Sequence, residues 1–317
     1  MKKKNILGCV SLLLCSSLCV AMQPMDEQSL SQTTGQDGIN LAVNVSKVQV
    51  NQISVIDTDG LPNRAGSTYR NKAAFVLAGA TNSPVSIDFL GASASQPTLK
   101  MSLDSDGGNG SPFANIAFGL GSNITGVKIS PFSIYLAGIN STTSIGTAKS
   151  IFSSGGSLNS DVTKLLSIGS ASNNFSINFN NTNKPGLNFQ LGHAPQSHLM
   201  LFSGAIQSIC GTEEGGGCPI TLTSGTTGAT FDFQLKANDT NTGFLLNGFY
   251  AGVEPDGLVL GNNGTSSKLD VALNNVTLGT VNSSIPTIFN GLKNGSMGNM
   301  GAIGASVTDL KVKISGL

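Results

Sequence analysis

Short runs in which every second residue is apolar recur along this chain, and glycine-bearing turn signals separate them. Ile39, Leu41, Val43 and Val45 alternate with polar residues, and Val48 and Val50 resume on the opposite phase, which predicts a bulge near Ser46-Lys47. Runs of the same period occupy 83–90, 98–104, 115–120, 126–136, 174–180, 187–192, 229–237, 268–281 and 306–315. Side chains on a strand alternate between faces, so each run offers one face to a core and one to water. Asp-Gly stands at 37–38, 59–60, 106–107 and 256–257, and Asn-Gly at 109–110, 247–248, 263–264, 290–291 and 294–295. These pairs tolerate positive φ, so tight hairpins and antiparallel pairing are expected.

The expected fold is therefore mainly β, a large antiparallel β-sandwich or an elongated sheet stack. A parallel β-helix is the alternative, because such chains are also rich in Gly and Asn; the strands here lack its fixed short repeat. A membrane barrel fits less well: Trp is absent, there are 3 Tyr to build aromatic girdles, and the final "VKISGL" has no terminal aromatic. Helix is scarce. Residues 158–169 suit two turns, capped by Ser160 or Asp161 and stopped at Gly169, and 285–295 suit about one turn. One continuous β-rich domain over 39–317 is expected, with a weak joint in the Gly/Ser-rich 141–160.

Residues 1–21 have the plan of a signal peptide. Lys2, Lys3 and Lys4 precede a short apolar run, Ile6 to Val20, and Cys19-Val20-Ala21 supplies small residues before a cut. Lipidation at Cys15 or Cys19 would want Gly, Ala or Ser just ahead, where Leu14 and Leu18 stand. Cleavage after Ala21 removes three of the 17 basic residues and none of the 17 acids, leaving a net charge of −3 and no further transmembrane segment. Charged residues make up 11% of the chain, against about 25% in ordinary globular domains, so the surface is mostly uncharged polar. With no basic stripe and no polybasic segment, nucleic acid and anionic lipid are not expected partners.

Three of the 5 cysteines lie in the leader. The others, Cys210 and Cys218, bracket the flexible "GTEEGGG", and in an oxidising compartment a disulfide is expected. A metal pair is the rival, poorly supplied by the two histidines, His193 and His198.

Between the leader and the first strand runs "MQPMDEQSLSQTTGQDGI". Pro24 suits a first helical turn, Asp26 and Glu27 suit a helix N-terminus, and Gly35 suits the left-handed cap that ends one, so 22–38 predicts a short helix and a turn. The motif of Leu30, Thr34, Gly35, Gln36, Asp37, Gly38 and Ile39, directly after a leader, resembles the start of Fil-type pilus-assembly and surface proteins of gamma-proteobacteria. The likeness covers roughly the first twenty residues after the leader; elsewhere it is one of style. It implies a secreted, surface-associated β protein from a filament gene cluster, and it carries over no catalytic residue.

No motif for catalysis or for binding a cofactor or metal is complete. Asp104, Asp106 and Asn109 faintly resemble a calcium loop, but the far ligand is missing and Asp, Asn and Gly are turn residues anyway. The same holds for 56–60 and 253–257. Glu213 and Glu214 share a loop tip without forming an acid–base pair, and His193 and His198 lack a third ligand. The leading expectation is an exported, non-catalytic structural or assembly component of a pilus-like filament, at the cell surface or in the periplasm. Its partners would be other filament or envelope proteins, or further copies of itself. The run from Gly38 to Val50 would be either a strand donated to a neighbour or the terminal strand of a self-complete sheet. An adhesin or glycan-binding module is the alternative, and a secreted polysaccharide-active enzyme ranks third.

Overall fold

A computed structural model describes residues 38–57, 73–79, 83–91, 96–138, 162–193, 195–225, 227–280, 288–289, 292–293 and 295–315. The leader, nearly all of the 22–38 segment and the 141–160 joint lie outside these residues. Asn40–Leu317 forms one compact unit. In chain order its strands begin with β1 (Ile39–Asn44), β2 (Lys47–Val50), β3 (Gln52–Asp57), β4 (Ala73–Ala78), β5 (Val85–Gly91), β6 (Thr98–Asp106), β7 (Phe113–Leu120) and β8 (Ile124–Ile129). There follow β9 (Phe132–Ala137), β10 (Val162–Ile168), β11 (Phe175–Phe179), β12 (Gly186–Gly192), β13 (Met200–Ser203), β14 (Ala205–Ile209), β15 (Cys218–Ser224) and β16 (Thr227–Ala237). The last are β17 (Phe244–Leu245), β18 (Phe249–Glu254), β19 (Gly257–Asn262), β20 (Leu269–Thr280), β21 (Ile288–Phe289), β22 (Leu292–Lys293), β23 (Gly295–Ala305) and β24 (Lys311–Ile314).

The fold is mainly β, with large antiparallel sheets in a sandwich-like stack, and among the described residues no barrel closes. Every registered strand pair is antiparallel, which excludes the parallel β-helix among the described residues. An 8-stranded sheet runs β1-β6-β7-β12-β13-β18-β19-β24. A larger, 14-stranded sheet contains β2-β5-β8-β11-β14-β16, with β20 and β23 continuing from β16. The two orders coincide, because consecutive strands of the chain form long arms that cross from one sheet to the other. β1–β2, β5–β6, β7–β8 and β11–β12 are such arms, and the eighth and last is β23–β24.

The crossing has its own chemistry. A ladder that stops leaves backbone donors and acceptors that must find partners. Hydrogen bonds from Val45 N to Pro97 O (2.9 Å), Gly121 N to Thr98 O (2.7 Å), Ala205 N to Asn183 O (2.9 Å) and Leu246 N to Gly204 O (2.8 Å) stitch neighbouring arms at this level. Asn263 N to Gly248 O (2.9 Å) and Asp309 N to Gly264 O (3.0 Å) continue the seam. An Asn amide both donates and accepts, which suits it here. Asn262 donates to Gly264 O and accepts from Leu310 N, and Asn247 accepts from Gly204 N. Two Asn-Gly signals expected at hairpin tips, 247–248 and 263–264, therefore mark the seam instead. The predicted bulge near Ser46-Lys47 is the seam of the first arm, where β1 gives way to β2.

The larger sheet forks at β16. One edge of β16 pairs with β15 over Thr227–Phe233 and then with β14 at Leu235 and Lys236. From β15 the sheet continues through β10, β9, β4 and β3. β3 follows β2 after the single residue Asn51, although the two strands stand at opposite ends of the hydrogen-bonded path, so a bend at Asn51 carries the chain between layers. Ala74, Val76, Ala78 and Ala137 are buried together, with Ile56, Tyr135 and Val162 packed against them. The plan repeats: the hairpins β3–β4, β9–β10 and β15–β16 each precede an arm-and-return excursion through β6–β7, β12–β13 and β18–β19.

Two expected helices are corrected. Residues 162–168 of the 158–169 segment are strand β10, paired with β9 and β15. A register shift between Lys164 and Leu166 absorbs the doubled leucine that imitated a helical period. Within 285–295, Ile288–Phe289 pairs with Leu292–Lys293 as a small hairpin.

Candidate interaction surface

The 8-stranded sheet separates its side chains by face. Leu103, Ile116, Phe189, Met200, Ala251, Leu260 and Val312 stand opposite one another in register, an apolar row across seven neighbouring strands. A flanking row holds Met101, Phe118, Leu187 and Phe202. The charged residues of these strands, Lys100, Asp104, Asp106, Glu254, Lys311 and Lys313, alternate onto the other face. The apolar face is exposed in part: Val253 is 67% exposed, Leu258 52% and Phe118 44%, while Leu103, Ile116, Phe189 and Met200 are half-buried and Ala251 is buried. At its seam end Leu99, Phe118, Leu187, Phe202, Pro185 and Leu246 line a shallow hollow of about 290 Å³. An uncovered apolar face of this extent marks a contact surface more often than it occurs by chance.

The polar face is satisfied from within. Asn115 Oδ1 accepts hydrogen bonds from Asn188 Nδ2 (2.8 Å) and Gln190 Nε2 (2.9 Å). Gln196 closes the network, accepting from Asn188 and donating to the carbonyls of His198 (2.7 Å) and Leu199 (3.1 Å). That fixes the β12–β13 loop, and the His198 imidazole lies on the buried Tyr250 ring, centroids 3.7 Å apart and 6° from parallel. Burial, with the nearby Lys311 charge, lowers the His198 pKa against a smaller pull from Glu254. Glu254 is held at about 2 by hydrogen bonds from Lys311 and Lys313, and Asp256 is lowered by Lys313. The spacing of Lys311 and Lys313 on one strand, and of Glu254 and Asp256 at a hairpin end, was the available sequence signal for this cluster.

Cys210 and Cys218 form a disulfide, with Cα atoms 5.2 Å apart. It joins the end of β14 to the start of β15, where the chain leaves the arm for the other layer. Asp106 Oδ1 accepts from Gly108 N (2.7 Å) and Asp104 Oδ1 from Ser105 N (2.8 Å), so both carboxylates serve the β6–β7 connection, and Asn109 there has φ 53°. Glu254 and Gly257 pair directly, which makes Pro255-Asp256 the hairpin tip in place of Asp256-Gly257. Glu213 holds its turn through its carbonyl, which accepts from Gly216 N (3.0 Å) and Gln234 Nε2 (2.9 Å). The backbone of His193 donates to Pro112 O (3.2 Å), away from the His198–Tyr250 stack. Among the described residues no group of three or more His, Cys, Asp or Glu could hold a metal ion, and no helix is long and apolar enough to cross a membrane.

Of the N-terminal motif, Leu30, Thr34, Gly35, Gln36 and Asp37 lie outside the described residues; Gly38 has φ 68° and Ile39 opens β1. β2 pairs with β5 of its own chain, Val48 opposite Ile87 and Val50 opposite Val85. Residues 1–88 match the model of a family of unknown function (DUF6160). No curated protein and no solved structure matches the chain.

Proposed function

We propose that this chain is an exported, non-catalytic structural or assembly component of a bacterial surface filament. The observation that carries the reading is the uncharged apolar row from Leu103 to Val312, exposed at Leu260 and Val312 and half-buried over most of the rest, on a sheet where Asn115, Asn188, Gln190 and Glu254 already have partners. A surface of this kind gains by covering with another protein and offers no acid, base or nucleophile for chemistry. The leader and the motif ending at Ile39 supply the address, and the Cys210–Cys218 bond suits an oxidising compartment. The test is a strain lacking the gene, examined for surface filaments by electron microscopy and complemented in trans. Loss or shortening of filaments, restored by the gene, is the expected result. Unchanged filaments, with the protein absent from the sheared surface fraction, would overturn it.

A further inference from the structure

We infer that copies of this chain join edge to edge, β1–β2 of one copy alongside β23–β24 of the next, to make one continuous antiparallel sheet. The inference rests on the contact role proposed above and names its partner, a second copy. Among the described residues β1 pairs with β6 alone and β24 with β19 alone, so both ends of the 8-stranded sheet are open. From β6 to β24 every neighbour is antiparallel, and β2, which continues β1, pairs antiparallel with β5, which continues into β6; with an even strand number, β1 and β24 therefore run in opposite directions. Set side by side from two copies, they continue the same alternation. The arms agree as well: the first passes from the smaller sheet to the larger and the last passes back, so β1 meets β24 while β2 meets β23.

The seam supplies the register. It lies between Asn44 and Lys47 in the first arm and between Ala305 and Lys311 in the last. Aligning the two, with apolar faces on one side, brings Leu41 opposite Val312 and Val50 beside Ile303. Ile303 is 87% exposed, the most open large apolar side chain described, and this neighbour would cover it. Natural edges are commonly guarded by free lysines or proline. β1 has neither, and the lysines of β24 are neutralised by Glu254 and Asp256. A joint between two different edges leaves a free edge at each end of the pair, so it propagates, into a ring if the rotation closes and a fibre if it does not.

The test is disulfide trapping in the exported protein, with the unsubstituted chain as baseline. The double variant Leu41→Cys/Val312→Cys should oxidise to a ladder of dimers, trimers and larger species that collapses to monomer on reduction. Adding Val50→Lys, a charge on the joining edge, should abolish the ladder. Val253→Cys, on the open face but away from either edge, should give no more dimer than baseline. No ladder, or equally efficient trapping through Val253→Cys (face-to-face packing), overturns the inference. The first outcome leaves a role in the filament as cap or assembly factor intact, and so separates this failure from that of the functional reading.

Discussion

Glu254 on β18 reaches past β19 to accept a 2.6 Å hydrogen bond from Lys311 on β24, and its second oxygen accepts one of 2.9 Å from Lys313. The edge strand is thereby tied to a strand two places away. Glu254 has a folded pKa of about 2, below its ordinary 4.5, so its contribution to stability is complete above the unfolded value and is lost as pH falls through about 2. Asp256 shifts the same way, and the raised Lys313 keeps its contribution until pH rises through its own elevated pKa. Glu254→Gln should therefore be less stable than the parent near neutrality, and the gap should narrow as pH falls from 4.5 to 2. Urea midpoints measured across that range check it; a gap independent of pH would contradict the assignment.

Gly204 sits at the seam with φ 80°, and a Cβ there would lie 2.0 Å from Lys184 O. Neither the conformation nor the backbone contact can relax cheaply. Gly204→Ala should lose at least about 2 kcal/mol, read as a lowered denaturation midpoint. An unchanged midpoint would mean that the seam is not rigid.

The Cys210–Cys218 bond closes a short loop between layers, with a sequence separation of 8. Loop-closure entropy gives it roughly 2–3 kcal/mol. The double Ser variant should fall by about that amount in denaturant titrations, and reducing agent should then have no further effect on it.

Val76 is fully buried, in a cluster with Ala74, Ala78 and Ala137, and Val253 is 67% exposed on the apolar face of the 8-stranded sheet. Val76→Ala should cost about 2 kcal/mol, while Val253→Ser should stay within about 0.5 kcal/mol. Similar losses at both sites, in calorimetry of the monomeric chain, would contradict the placement of the two faces.

How much of this the sequence disclosed depended on distance along the chain. Strict alternation in Leu99, Met101 and Leu103, or in Ile116 and Phe118, located β6 and β7 directly, and the Cys pair identified its own bond. β4 was not legible because "AAFVLA" is apolar on both faces, Val76 inward and Phe75 outward. β23 was hidden by its glycines, and Leu165-Leu166 disguised β10 as helix. The Asn-Gly pairs at 109–110, 247–248 and 263–264 signalled chain reversals or breaks, but only the partners across the sheet determine whether such a break is a tip or a seam. The ion-paired cluster of Glu254, Asp256, Lys311 and Lys313 joins residues nearly sixty positions apart, which local pattern cannot connect.

The most direct test of the central claim, that this is a β body built to meet its own kind along open edges, is sedimentation velocity of the purified exported protein over a wide concentration range. Species should grow with concentration by one chain at a time, and a Leu41→Lys/Val50→Lys variant should stay monomeric with an unaltered fold. A parent chain that sediments as a monomer throughout, or a variant that assembles equally well, would contradict it.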